Sequence, residues 1–450
     1  MAEQAGPPAA DDWMLPESTT GPLPKAADVV VIGGGIMGAA SALYLARRGG
    51  SAVLLEKGVI SGEQSGRNWG WVRQMARDLD ELPLMMESNR IWCGAEAEFG
   101  EDIEWTQQGI IAVARDPARI KFFNEWLAAT RSTGIDSRLL DMPQIKTLIP
   151  KLDGEWLGAL YTPSDGHAEP AKATRAFARA AHKAGAGVFE NCAVRDILVE
   201  NGRVTGVDTD RGRIDAKQVV VAAGAWSSML LRRIGLDLPY HIIRGTVAST
   251  KPVEKIADPA VGYHPYVSMR QRRDGSLYLA AGFWSDYDIT LEALQHMRMF
   301  LPNFVKNHAI LQLHLGKPFL RDLGRTLRHD TSYRPWLRDR VWDPAPNPAK
   351  VKSSVTEFGK VLPSIPLEIE SAWAGYEDAT PDAVPVIDSL STPAGLTLAT
   401  GFSGHGFGMG PIVGKVTADL VLDGKTGFDM TPFRFSRFKD GTFKKPRLVG

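Results

Sequence analysis

Asp28-Val29-Val30-Val31-Ile32-Gly33-Gly34-Gly35-Ile36-Met37-Gly38 is the stretch on which the reading of this chain turns. Its first five residues are an apolar, β-branched run of the kind that forms a buried parallel strand. The glycines follow at the G-x-G-x-x-G spacing. Ala39 to Arg48 continues with good helix formers and ends at Gly49-Gly50, and Ala52-Val53-Leu54-Leu55-Glu56 is a second strand closing on an acid. The spacing predicts a βαβ unit. In such a unit the first glycine turns tightly, the second admits a pyrophosphate, and the third lets helix pack on strand. The helix start supplies free N–H groups and a positive dipole end, and Glu56 sits where a carboxylate can meet a ribose. These signals agree on a dinucleotide site without saying which dinucleotide.

Working outward, 450 residues exceed what one hydrophobic core usually serves, so two domains are expected. Lysine plus arginine equals aspartate plus glutamate at 52 each, which gives no reason to expect nucleic acid. Cys93 and Cys192 lack any ligand or framework spacing, so neither a disulfide scaffold nor a metal site is expected, and a reducing, cytoplasmic setting fits. No apolar run is long enough for a membrane span, which leaves a soluble or peripheral protein. Residues 1–26, rich in proline and small residues, read as a disordered arm.

Further along, Ser65-Gly66-Arg67-Asn68 offers donors beside the first unit, and Gln218 to Trp226 is a buried strand ending in small residues. Residues 103–114 read as a strand pair around Gln108-Gly109, and Leu291 to Leu315 as a helix broken at Pro302. From 239 to 370 the texture turns to antiparallel strands. Gly401-Phe402-Ser403-Gly404-His405-Gly406-Phe407-Gly408-Met409-Gly410-Pro411 then precedes a helix expected from Ile412 to Val421, a second place where bare amides meet a ligand. The expected partition is a discontinuous cofactor domain (27–105, 166–238 and 371–440) and a substrate domain (106–165 and 239–370).

The opening motif, the Ser65-Gly66-Arg67-Asn68 loop, Ala223-Gly224-Ala225-Trp226 and the late glycine string resemble, in order, the FAD-dependent D-amino-acid oxidase and sarcosine oxidase superfamily. Asn191 to Arg195, Thr417-Ala418-Asp419 and the tail from Thr431 look most like bacterial L-amino-acid deaminases. The resemblance implies an α/β fold, with a glutathione-reductase-like FAD domain and an α+β substrate domain on an antiparallel sheet. It also implies hydride transfer from an amine's α-carbon to flavin N5, giving an imine that hydrolyses to a keto acid or aldehyde.

The cofactor-binding set it implies is Gly33, Gly35, Ile36, Met37, Gly38, Glu56, Lys57, Ser65, Gly66, Arg67, Asn68, Val194, Ala223, Gly224, Trp226, Gly404, Gly406, Phe407, Gly408 and Met409. Ala374 and Gly375 stand where cysteine-linked relatives carry their cysteine, and no histidine occurs in Arg67-Asn68-Trp69, so FAD is expected to be noncovalent. Tyr278 stands where sarcosine oxidases place an oxygen-activating lysine, which tilts toward a dehydrogenase, with O2 or another acceptor left open. Deaminases place a carboxylate-binding arginine near Ala281-Gly282-Phe283, where this chain has none.

Arg73, Arg244 and Arg270 are therefore the candidate carboxylate ligands, with His405 and Tyr266 as further pocket residues. The expected substrate is an amino acid or carboxylated secondary amine. A polyamine or N-methylated amine, and a flavin-binding subunit of a heteromeric amine dehydrogenase, are the alternatives.

Overall fold

The computed structural model describes residues 21–263, 266–281, 285–307, 311–316, 319–320, 323–324 and 334–444. Residues 1–20 of the expected arm, and Gly282-Phe283, lie outside them. The opening stretch forms strand Ala26–Ile32, helix Ile36–Arg47 and strand Ala52–Leu55. Ala26–Ile32 lies between two parallel neighbours, pairing Val30 with Val53 on one side and with Val219 on the other. Such a central strand is buried on both faces, which is why its sequence runs apolar instead of alternating.

The sheet continues in the order Val386–Leu390, Leu396–Thr400, Gly212–Val221, Ala26–Ile32, Ala52–Leu55 and Gly187–Phe189. Its first two strands pair antiparallel, and Val194–Glu200 and Arg203–Thr209 attach as a hairpin ribbon to Gly212–Val221. One face is covered by Ile36–Arg47, Leu82–Phe99, Pro170–Lys183 and Gly406–Asp423. Helices Ile36–Arg47 and Gly406–Asp423 cross in contact because a Cβ at Gly414 would overlap Ala40.

The second sheet has ten strands among the described residues, mostly antiparallel. Its long central pair is His241–Thr250 against Ile369–Ala379. Ile369–Ala379 thus belongs to the second sheet along its whole length, although the sequence boundary at 371 put it with the cofactor segments. It leads straight back to Val386–Leu390 in the first sheet, so it is the chain's last crossing between the sheets. Trp71–Val72 pairs with Gly166–His167 in a two-stranded ribbon.

Three local expectations are corrected. The pair around Gln108-Gly109 is one strand, Ile110–Ala114, and Thr106 instead bridges His167. Pro302 lies inside helix Met297–Asn307, and Leu311–His314 beyond it is a strand. The late helix starts at Gly406, within the glycine string, and carries Pro411 inside its first two turns. As the sixth helical residue Pro411 lies past the orphan amides, so it forgoes one intrahelical bond, to the Phe407 carbonyl.

Candidate active site

A cavity of about 800 Å³ runs from the carboxyl ends of the parallel strands to the face of the second sheet. The carboxyl edge of an open α/β sheet is where such folds bind ligands. Ile36–Arg47 and Gly406–Asp423 both begin at this cavity, and neither has a side-chain cap from its N-cap residue, Gly35 or His405. Ser65 Oγ accepts from the Ile36 amide at 2.9 Å. Gly38 lies behind the turn: a Cβ there would overlap the Gly33 carbonyl oxygen, so this glycine serves packing. Glu56 accepts from the Gly34 and Gly58 amides at 2.6 and 2.8 Å, and burial pushes its carboxyl up to about 7.

The polar loop is a short helix, Gln64–Arg67. Arg67 and Asn68 touch the cavity, yet their donors are spent internally. Arg67 binds Asp343 and the Ala374 carbonyl, and Asn68 binds the Gln64 and Ser65 carbonyls. Lys57 donates to the Arg340 carbonyl and lies over the Trp226 ring, whose indole N–H reaches Glu63 at 2.9 Å. Val194, Ala223, Gly224, Trp226, Gly404, Gly406 and Phe407 line the cavity, whereas Gly66, Gly408 and Met409 do not. The Gly408 carbonyl accepts from Ser88 and Trp92, and Met409 is core, because once the helix starts at Gly406 these residues face inward.

At the inner end the cavity meets Trp69, Trp71, Arg73, Arg77, Arg119 and His405. His405 Nδ1 is 3.5 Å from Glu81 Oε1. Burial holds His405 below the usual imidazole range, only partly offset by Glu81. Burial also lowers Arg73 to about 9, helped by the neighbouring charges of Arg77 and Arg119.

The structure brings Arg73 and His405 to the cavity and keeps the other three candidates away. Arg270 is 1% exposed behind Gly70, and both its terminal nitrogens are engaged, donating to Glu169, to the Ala168 carbonyl and toward His167. Arg244 turns to the Ala345 carbonyl and Asp288. Tyr266 packs beside Trp156 in the core of the second sheet. Tyr278 is also buried, its ring between Arg270 and Arg272 and its hydroxyl on Glu169.

The sequence reading missed Arg77, Glu81, Arg119 and Glu377. One signal was available for Arg119: it stands in the first turn of helix Pro117–Thr130, where a cation opposes the helix dipole.

Residues 28–420 match the FAD dependent oxidoreductase family, and the chain belongs to that family. It is 28% identical to mitochondrial sarcosine dehydrogenase from Mus musculus over 437 residues, 94% of this chain and 43% of that protein. It is 25% identical to glycine oxidase from Geobacillus kaustophilus, covering 91% of this chain and 97% of that one. The chain therefore spans less than half the length of the sarcosine dehydrogenases and nearly all of the glycine oxidase. Among solved structures, the L-amino acid deaminase from Proteus myxofaciens superposes with a TM-score of 0.88 at 26% identity, covering 94% of this chain and 96% of that one. Among the described residues no helix is long and apolar enough to cross a membrane.

Proposed function

We propose that this chain oxidises the C–N bond of an amino acid or a carboxylated secondary amine, using noncovalently held FAD. The observation that carries the reading is one cavity that runs from the start of Ile36–Arg47 to the start of Gly406–Asp423, where half-buried His405 and Arg73 both line it.

The residues present fit the cofactor. Glu56 would take the adenosine ribose, the amides of Gly35 and Met37 the phosphates, and the start of Gly406–Asp423 the far end of the molecule. Bound FAD supplies the hydride acceptor, and the protein supplies binding, orientation and exclusion of water. Arg73 holds the substrate carboxylate with its planar fork. His405, kept neutral by burial with Nδ1 toward Glu81, offers its other nitrogen to the proton of the substrate ammonium, since the amine must be neutral to give up hydride. Trp69 and Trp71, packed edge to face at 5.3 Å, line the same cavity.

The test is a panel of amino acids, N-methyl amino acids and amines, run anaerobically with the purified yellow protein and read as bleaching of its visible flavin band. Bleaching by carboxylated amines supports the reading, and bleaching only by amines without a carboxylate overturns it. A protein that takes up no FAD removes it altogether. Turnover with a dye but not with O2 would identify a dehydrogenase.

A further inference from the structure

We infer that the inner end of the cavity holds a second anion position, built by Arg119 with Arg77, so that the substrate is an amino or N-alkylamino dicarboxylate. The inference rests on the cavity being the amine-oxidising site proposed above.

Arg73, Arg77 and Arg119 all line one stretch of cavity wall together with apolar Met75 and Ile111, and Arg77 and Arg119 are only 6% and 9% exposed. One substrate carboxylate needs one such fork. Gathering three guanidinium groups in a dry wall is costly unless further negative charge meets them.

Glu81 and Asp165 offset part of this charge at Arg73 and Arg77, but neither acts on Arg119. Asp165 spends its oxygens on the Gln74 and Met75 amides and the Gln74 side chain. Asp116 accepts from the backbone amide of Arg119, capping the helix. Glu81 faces His405, and its carboxylate oxygens accept no hydrogen bond among the described residues.

Arg119 is the distinctive member. Its Nε is buried without a hydrogen-bond partner, and no carboxylate of the described residues lies within ion-pair distance. It is held over the Phe122 and Phe123 rings, at 5.1 and 5.2 Å, which fixes the fork in place. It also occupies a helix first turn, where the dipole disfavours a cation. A position unfavourable for folding, yet preorganised and turned to the cavity, is what a ligand carboxylate requires.

The experiment uses the flavin-loaded protein. Glutarate and butyrate, which cannot be oxidised at a C–N bond, are titrated by calorimetry, and glutamate, aspartate and iminodiacetate are compared with glutamine, asparagine and glycine as donors. Glutarate should bind roughly 10- to 100-fold more tightly than butyrate, the worth of one more hydrogen-bonded charge. Arg119→Gln should remove most of that difference, and Arg119→Lys, which keeps the charge but not the fork, should remove less. Diacids should likewise be preferred as donors, with that preference lost in Arg119→Gln. Equal binding of glutarate and butyrate, or an equal loss of both in Arg119→Gln, overturns the second anion position. Tight glutarate binding sensitive to Arg119, with no donor bleaching the flavin, would instead overturn the amine-oxidation reading and leave the anion position standing.

Discussion

His405 Nδ1 faces Glu81 Oε1 at 3.5 Å, with Glu81 1% exposed at the start of helix Leu82–Phe99 and His405 at the start of Gly406–Asp423. The contact joins two helices more than 300 residues apart in sequence at the inner end of the cavity. Burial alone would raise Glu81, but His405, Arg77 and Arg73 outweigh it and hold the carboxyl below its ordinary range. Glu81→Ala leaves Arg77 and Arg73 without this counter-charge, so it should destabilise the fold by about 3 kcal/mol, the scale of breaking a buried pair. Urea denaturation checks this. Because its native pKa is depressed, the Glu81 contribution is present at neutral pH and lost on acidification through that lowered value. The deficit of the variant should therefore shrink at low pH.

Gly38 and Gly94 offer a matched contrast. A methyl at Gly38 would run into the Gly33 carbonyl and push the helix off the strand, whereas one at Gly94, within Leu82–Phe99, meets nothing within 4 Å. Gly38→Ala should cost 1–3 kcal/mol or more (roughly, as overpacking does) and yield protein unable to retain FAD. Gly94→Ala should raise stability by about 0.5–1 kcal/mol through its helical preference. Thermal melts and flavin absorbance after gel filtration separate the two.

The βαβ unit was legible because strand pattern, glycine spacing, helix formers and the closing acid all point one way over 29 local residues, 28 to 56. Arg270 illustrates what was not. Its type suits a carboxylate ligand, but its fate is set by Glu169 on a distant segment, which only tertiary structure brings to it. Arg119 erred in the other direction. Ile120, Phe123, Trp126 and Leu127 mark an apolar helix face, and the arginine beside it reads as solvated until the helix docks over the cavity. Pro302 shows that a breaker residue is only a local prior.

Glu377 gives a pH dependence. Burial, reinforced by Asp378, raises its carboxyl from 4.5 to about 7, and among the described residues its side-chain donor is Gln64 Nε2 at 3.3 Å. An acid raised in the native state stabilises the fold most below its unfolded value, and that contribution is lost as pH rises through the native one. Flavin-free protein should therefore lose stability from this group between about pH 4.5 and 7. Glu377→Gln, which stays neutral, should raise the melting temperature at pH 8 and leave it nearly unchanged at pH 4.5 or below. An equal rise at both values would show that charge is not the cause.

Arg73 and Arg270 differ in position, and that difference predicts opposite phenotypes. Arg73 lines the cavity, so Arg73→Lys, which keeps charge but loses the bidentate fork, should raise KM for a carboxylated amine roughly 10-fold or more with little change in melting temperature. Arg270 lies outside the cavity, with Glu169 at 3.0 Å and both side chains at least nine-tenths buried. Arg270→Met leaves the Glu169 carboxylate with Arg272 at 3.3 Å and the Tyr278 hydroxyl at 3.2 Å as its remaining partners. With Arg272 as the one cation left beside the buried carboxylate, it should cost about 3 kcal/mol of stability, the lower end of the scale for breaking a buried pair. The fraction that still folds should keep its KM. A steady-state assay beside a denaturation curve for each variant decides the assignment, and a raised KM in Arg270→Met with normal stability would place the carboxylate ligand at Arg270 after all.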